Sequence, residues 1–124
     1  MARVLLVEDE GLLRETLSMA LQDAGHMVTA CATGAAAMAT LEKAQFDVLV
    51  TDILMPETDG LELIRRLRKS GSDLRIIAMS GGGRTRNMDM LGYPKSFGAD
   101  AALVKPFLPR DLLDAITAPP SQAH

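Results

Sequence analysis

Glu8 and Asp9 close a short apolar run at residues 4–7, Val-Leu-Leu-Val. Asp52 closes a second at 47–51, Ser80 follows a third that ends at Met79, and Lys105-Pro106 follows a fourth at 101–104. A lone carboxylate at the end of a buried run is costly unless something pairs with it. Three carboxylates brought together repel, and one would normally hold a proton. A divalent cation removes that conflict. Mg²⁺ takes oxygen ligands, keeps several waters and is usually held by one or two carboxylates plus phosphate oxygens. In this reading Asp9, Asp52 and the backbone carbonyl of Leu54 ligate the metal, Glu8 acts through water, and Lys105 compensates the charge of Asp52. Asp52 can also be a nucleophile, because a carboxylate can attack phosphorus and form an aspartyl-phosphate. Ser80 and Lys105 would then hold the phosphoryl oxygens where charge develops. Gly81 and Gly82 leave backbone N–H groups free to approach.

The elements that must bring these residues together can be traced along the chain. Apolar runs at 4–7, 27–31, 47–51, 75–79 and 101–104 read as strands. Between them lie amphipathic stretches. Leu12, Leu13, Leu17, Ala20 and Leu21 recur near helical spacing and stop at Ala24-Gly25, a helix C-terminal signal. A second helix runs from Thr33-Gly34 through Ala44, and a third carries Leu61, Leu63, Ile64 and Leu67 and ends near Ser70-Gly71. Pro109 opens a last helix at a position where proline is tolerated, and Pro119-Pro120 ends it. The stretch 84–99 contains Gly92 and Pro94 where a fourth helix should lie, so that helix is expected to be irregular. Strands that are apolar on both faces fit a parallel sheet covered on both sides, with right-handed crossovers. The expected fold class is therefore α/β, a doubly wound five-stranded parallel sheet. Ligands of such sheets bind beyond the carboxyl ends of the strands. Glu8, Asp9, Asp52, Ser80 and Lys105 all fall on that rim.

Composition narrows the function. A chain of 124 residues is one domain, with 48% hydrophobic residues available for a core. The net charge of −3 gives no basic footprint for nucleic acid, and 3% aromatics with no Trp leave no stacking platform. One cysteine, Cys31, excludes an internal disulfide and suits a reducing cytosol. The sequence shows no signal peptide and no apolar segment of membrane-spanning length, so a soluble cytoplasmic domain is expected.

With these pieces in place, the sequence closely resembles the receiver domains of two-component response regulators. The resemblance rests on VLLVEDE (4–10), DVLVTDILMPETDGLEL (47–63), MSG (79–81), GADAALVKPF (98–107) and the spacing between them. It implies a flavodoxin-like strand order of 2-1-3-4-5 and a Mg²⁺ site at Glu8, Asp9 and Asp52. It also implies transfer of phosphate to Asp52 from a histidine kinase or histidine phosphotransfer protein, with Ser80 and Lys105 sensing it. A cis bond before Pro106 is a further expectation of the family. Met55-Pro56 and Gly60 match the family's loop into the third helix. Three features depart from the pattern. Ala102 stands where receivers usually carry Tyr or Phe, the stretch from Ser80 to Lys105 is about three residues longer than usual, and no output domain is expected. The expected organisation is a receiver at 1–118 and a flexible tail at 119–124.

Other residues take simpler roles. Asp59 and Gly60 read as turn and helix-start residues, with Asp59 near an N-cap. Gly81-Gly82-Gly83-Arg84 lacks the Gly-Lys-Ser/Thr of a phosphate-binding loop and reads as a linker. His26 reads as capping or solvated, and Cys31 as a small buried hydrophobe. A phosphorylation-controlled switch that acts through an unknown downstream protein is the leading function. A phosphate sink or relay intermediate, and a phosphorylation-independent interaction module, are the alternatives. A metal-dependent phosphatase ranks last, since 124 residues leave little room for a substrate cap. No enzymatic activity is expected beyond self-catalysed phosphotransfer and slow autodephosphorylation. Leu54 offers no polar group to orient an attacking water, so the phosphoryl state is expected to be long-lived.

Overall fold

The computed structural model describes residues 1–53, 60–80 and 98–117. Its elements run β1 (Arg3–Val7), α1 (Gly11–Asp23), β2 (Met27–Cys31), α2 (Gly34–Lys43), β3 (Val48–Asp52), α3 (Gly60–Lys69), β4 (Arg75–Ser80), β5 (Ala101–Val104) and α4 (Pro109–Thr117). The strands form one parallel sheet in the order β2-β1-β3-β4-β5. The stretch 84–99, expected to hold an irregular helix, falls outside the described residues except for Gly98 and Ala99. The tail from 118 onward does as well.

Alternation along the strands divides the core in two. Leu5, Leu49 and Ile76 point to the face covered by α2 and α3, where they meet Ala37, Leu63 and Ile64. Val4, Leu6, Val50 and Met79 point to the other face, where they meet Leu17 and Leu21 of α1 and Leu112 and Ile116 of α4. A strand buried on both faces must read as a continuous apolar run. β3 is buried at every position. β2, at the sheet edge, is largely exposed. Leu12, assigned to the helical apolar series, is 73% exposed and lies off the core-facing stripe of α1. Among the described residues no helix is long and apolar enough to cross a membrane.

Local chemistry sets the helix ends. Thr33 Oγ accepts the Ala36 N–H at 3.1 Å and caps α2. α1 and α3 are followed by Gly25 (φ 96°) and Gly71 (φ 88°), the left-handed positions that glycine occupies without a Cβ penalty. His26 holds the start of β1, its Nδ1 accepting the Ala2 N–H at 3.0 Å. Cys31 is buried.

β5 carries Lys105 at its far end, and its near end is clamped. Asp100 Oδ2 accepts the Ile76 N–H at 2.8 Å and an Arg68 N–H at 2.9 Å. The same guanidinium donates to the carbonyls of Gly98 (2.8 Å), Ser72 (3.0 Å) and Leu74 (2.6 Å). One side chain thus ties the end of α3 to the starts of β4 and β5.

Candidate functional site

The sheet register assembles the site. Val7 lies opposite Thr51, so the next step places Glu8 beside Asp52. Asp52 lies opposite Met79 and Ser80 opposite Val104, so Lys105 follows on the same rim. The ladder continues through these residues. Glu8 N–H donates to Cys31 O (3.0 Å), Ile53 N–H to Met79 O (3.0 Å) and Lys105 N–H to Ser80 O (2.7 Å). The peptide bond between Lys105 and Pro106 is cis, as the resemblance implies.

Lys105 is the centre of the arrangement. Its Nζ donates to Asp52 Oδ2 at 2.8 Å and to Glu8 Oε1 at 2.9 Å. Both carboxylates are buried, with side-chain exposures of 1% for Glu8 and 6% for Asp52. Charge-assisted hydrogen bonds of this length are the strong ones, and here they offset the cost of taking two carboxylates out of water. Glu8 Oε2 also accepts the Glu10 N–H at 3.0 Å, and Arg14 donates to the Glu8 carbonyl at 2.9 Å. Sequence reasoning did not give Arg14 this role. It lies four residues after Glu10, so one helical turn returns it to the strand end.

The electrostatics follow from burial. Removal from water pushes the Glu8 carboxyl above its ordinary value, against the hydrogen bonds from Glu10 and Lys105. Burial alone would lower Lys105. Its hydrogen bonds to Asp52 and Glu8, with their charge, outweigh burial and hold it above its ordinary value.

Asp9 completes the cluster from an exposed position. One oxygen from each of Glu8, Asp9 and Asp52 lies within 4.8 Å of the others. Three carboxylates against one ammonium leave two negative charges uncompensated. That charge, the hard oxygen donors and the open side at Asp9 fit a hydrated divalent cation such as Mg²⁺. Ser80 sits buried on the same rim. Thus Glu8, Asp9, Asp52 and Lys105 come together and Ser80 adjoins them. The Leu54 carbonyl, Asp59 and the Gly81–Arg84 segment lie outside the described residues.

A model of the response regulator receiver domain matches residues 4–117. The chain belongs to this family. The response regulator receiver protein CpdR of Brucella abortus is 40% identical over 117 residues, covering 94% of each chain. Response regulator MprA of Mycobacterium leprae is 35% identical over 120 residues, covering 94% of this receiver and 50% of that protein. The virulence transcriptional regulatory protein PhoP of Salmonella typhimurium is 39% identical over 108 residues, covering 86% and 46%. The receiver thus spans about half the length of the latter two. Chemotaxis response regulator CheY4 of Vibrio cholerae superposes with a TM-score of 0.81 at 35% identity, covering 94% and 96%. Response regulator TrrA of Thermotoga maritima, solved in complex with Mg²⁺–BeF, gives 0.78 at 30% identity over the same shares. The flavodoxin-like order 2-1-3-4-5 expected from the resemblance is the order observed.

Proposed function

We propose that this receiver accepts a phosphoryl group on Asp52 from a histidine of a kinase or phosphotransfer protein, in a Mg²⁺-dependent reaction. The observation that carries the proposal is the buried Glu8–Lys105–Asp52 bridge with Asp9 beside it. A structural ion pair needs one acid for one base. A second buried acid on the same lysine, with Asp9 beside it, leaves negative charge that a cation or a charged group in transfer would offset.

In the reaction an Asp52 carboxylate oxygen attacks phosphorus. An O–P bond forms, the P–N bond to the donor imidazole breaks, and the electron pair stays on that nitrogen. Lys105 holds the attacking carboxylate in place and stands ready for the negative charge that arrives. The Ser80 hydroxyl, on the same rim, donates to a phosphoryl oxygen. A bound Mg²⁺, held by Asp9 and Asp52 with Glu8 acting through water and Leu54 supplying its carbonyl, would neutralise the charge that gathers on the phosphoryl oxygens. Beyond self-catalysed transfer and slow hydrolysis of the aspartyl-phosphate, no enzymatic activity is proposed. Phosphorylation changes downstream protein contacts in the cytoplasm by favouring one of two conformations.

A sink or relay role has one observation in its favour. Ala102, at the position of the usual aromatic, lies opposite Ala78 in the β4–β5 ladder, so no large side chain there can couple site to surface. The test is transfer from phosphorylated histidine donors. Label reaching wild type but not Asp52→Asn supports the receiver reading. Label that moves on quickly to a second histidine protein supports the relay. No transfer from any donor overturns both.

A further inference from the structure

Gly60 opens α3, and its backbone lies directly on the end of β3. Its N–H donates to the Ile53 carbonyl at 3.1 Å. A Cβ at this position would collide with the Asp52 carbonyl oxygen and stand 2.7 Å from Ile53 Cα and 2.9 Å from the Asp52 carbonyl carbon. All three are backbone atoms, so no side chain can rotate aside. The φ of Gly60 lies outside the left-handed region. Close approach, not backbone conformation, is therefore what requires glycine here.

We infer that Gly60 is a positioning residue for Asp52: its missing side chain lets the first turn of α3 seat on the Asp52 carbonyl and sets where the carboxylate stands relative to Glu8 and Lys105. The inference rests on Asp52 being the phosphoacceptor. α3 cannot easily retreat, because Leu61, Leu63 and Ile64 are buried beneath it. Real Cβ contacts essentially never fall below 3.0 Å. An alanine must therefore move Asp52 or α3 by about 1 Å, and a misplacement of about 1 Å costs on the order of a hundredfold in rate. Where Asp52 is the part that moves, a shift of that size away from Lys105 takes their 2.8 Å contact past hydrogen-bond range. Changes to the groups that orient metal ligands weaken metal affinity by about tenfold to a hundredfold.

The test compares changes at the two ends of α3. Gly60→Ala intrudes on Asp52, whereas Gly71→Ala meets nothing within 4 Å and strains only its own backbone at φ 88°. Leu61→Ala and Leu67→Ala each open a void under α3, the first beside Gly60 and the second about two turns away. Mg²⁺ affinity is read by calorimetry, adduct formation with acetyl phosphate by intact mass, and folding by circular dichroism. The expected result is a drop of at least tenfold in Mg²⁺ affinity and about a hundredfold in adduct rate for folded Gly60→Ala. Gly71→Ala and Leu67→Ala should keep both near wild type. If Gly60→Ala does not fold, the leucine pair decides, with slower adduct formation for Leu61→Ala alone supporting the inference. Equal behaviour at the two ends, relative to the stability each variant loses, overturns it. Failure of wild type itself to form an adduct overturns the reading of Asp52 and the inference with it, an outcome distinct from a normal rate in Gly60→Ala.

Discussion

Lys105→Met removes the ammonium from between Asp52 and Glu8 while keeping most of the side-chain volume. Two buried carboxylates then face each other with no cation. Breaking a buried pair by removing one partner costs about 3–5 kcal/mol. The Lys105 side chain is 22% exposed, so water can partly replace it and the lower end, about 3 kcal/mol, applies. Unfolding entropy is about 2.1 cal/mol/K per residue, so a domain of 124 residues shifts by about 4 °C per kcal/mol. Tm in metal-free buffer at pH 7 should therefore fall by about 12 °C. The assay is thermal unfolding followed by circular dichroism. The double variant Lys105→Met with Glu8→Gln should recover a substantial part of the loss, because it no longer buries two like charges. The gap from wild type should also narrow as pH falls through the raised folded value of Glu8, because the protonated acid no longer buries a charge. An unchanged Tm for Lys105→Met at neutral pH, or no rescue by Glu8→Gln, would mean that Lys105 does not offset the burial of both acids.

Further outcomes follow from the same geometry. Burial holds Glu8 above its ordinary value, so the folded state binds its proton more tightly than the unfolded chain does. Its contribution is greatest below pH 4.5 and declines as pH rises through the folded value, so metal-free Glu8→Gln should be at least as stable as wild type at pH 7 in urea titrations. Lys105 is raised, so its pairing contributes fully below pH 10.5 and is lost as pH rises on through the folded value, a loss that alkaline unfolding of Lys105→Met should not show. Mg²⁺ at a hundred times its Kd should stabilise wild type by about 2.7 kcal/mol, and Asp9→Asn should lose most of that thermal shift. Arg68→Met leaves three carbonyls without their guanidinium donor and Asp100 with the Ile76 N–H but no ion-pair partner, and should cost about 3 kcal/mol in chemical denaturation.

The sheet was legible because burial on both faces leaves an unmistakable mark. β1, β3 and β4 had to be continuous apolar runs, and β2 and β5 were placed at 27–31 and 101–104, where they stand. Boundaries shifted by a residue where a polar group joins the ladder, as Asp52 does at the end of β3 and Ser80 at the end of β4. Leu12 misled, since three- and four-residue spacing admits neighbours of the buried stripe as readily as members of it. The strand order came from family resemblance, because apolar runs carry no record of which neighbour each will pair with.

The site was legible in its parts but not in its arrangement. Acids, hydroxyl and lysine at strand ends were visible as such. That Glu8 would be the buried acid and Asp9 the exposed one was not, because adjacent residues on a strand point to opposite sides and either could have faced in. Gly60 read as a helix start. Its contact with the Asp52 carbonyl depends on how α3 packs back on β3, which no local pattern encodes.

If Asp52 is a phosphoacceptor served by a Mg²⁺ site, it must take up a phosphoryl group only when Mg²⁺ is present. The most direct test is intact mass after incubation with a small phosphodonor, with and without Mg²⁺, for wild type and Asp52→Asn. A Mg²⁺-dependent phosphoryl adduct on wild type, absent from folded Asp52→Asn, is the expected result. Folded, Mg²⁺-binding wild type that takes no phosphoryl group, or an adduct that persists in Asp52→Asn, would contradict it.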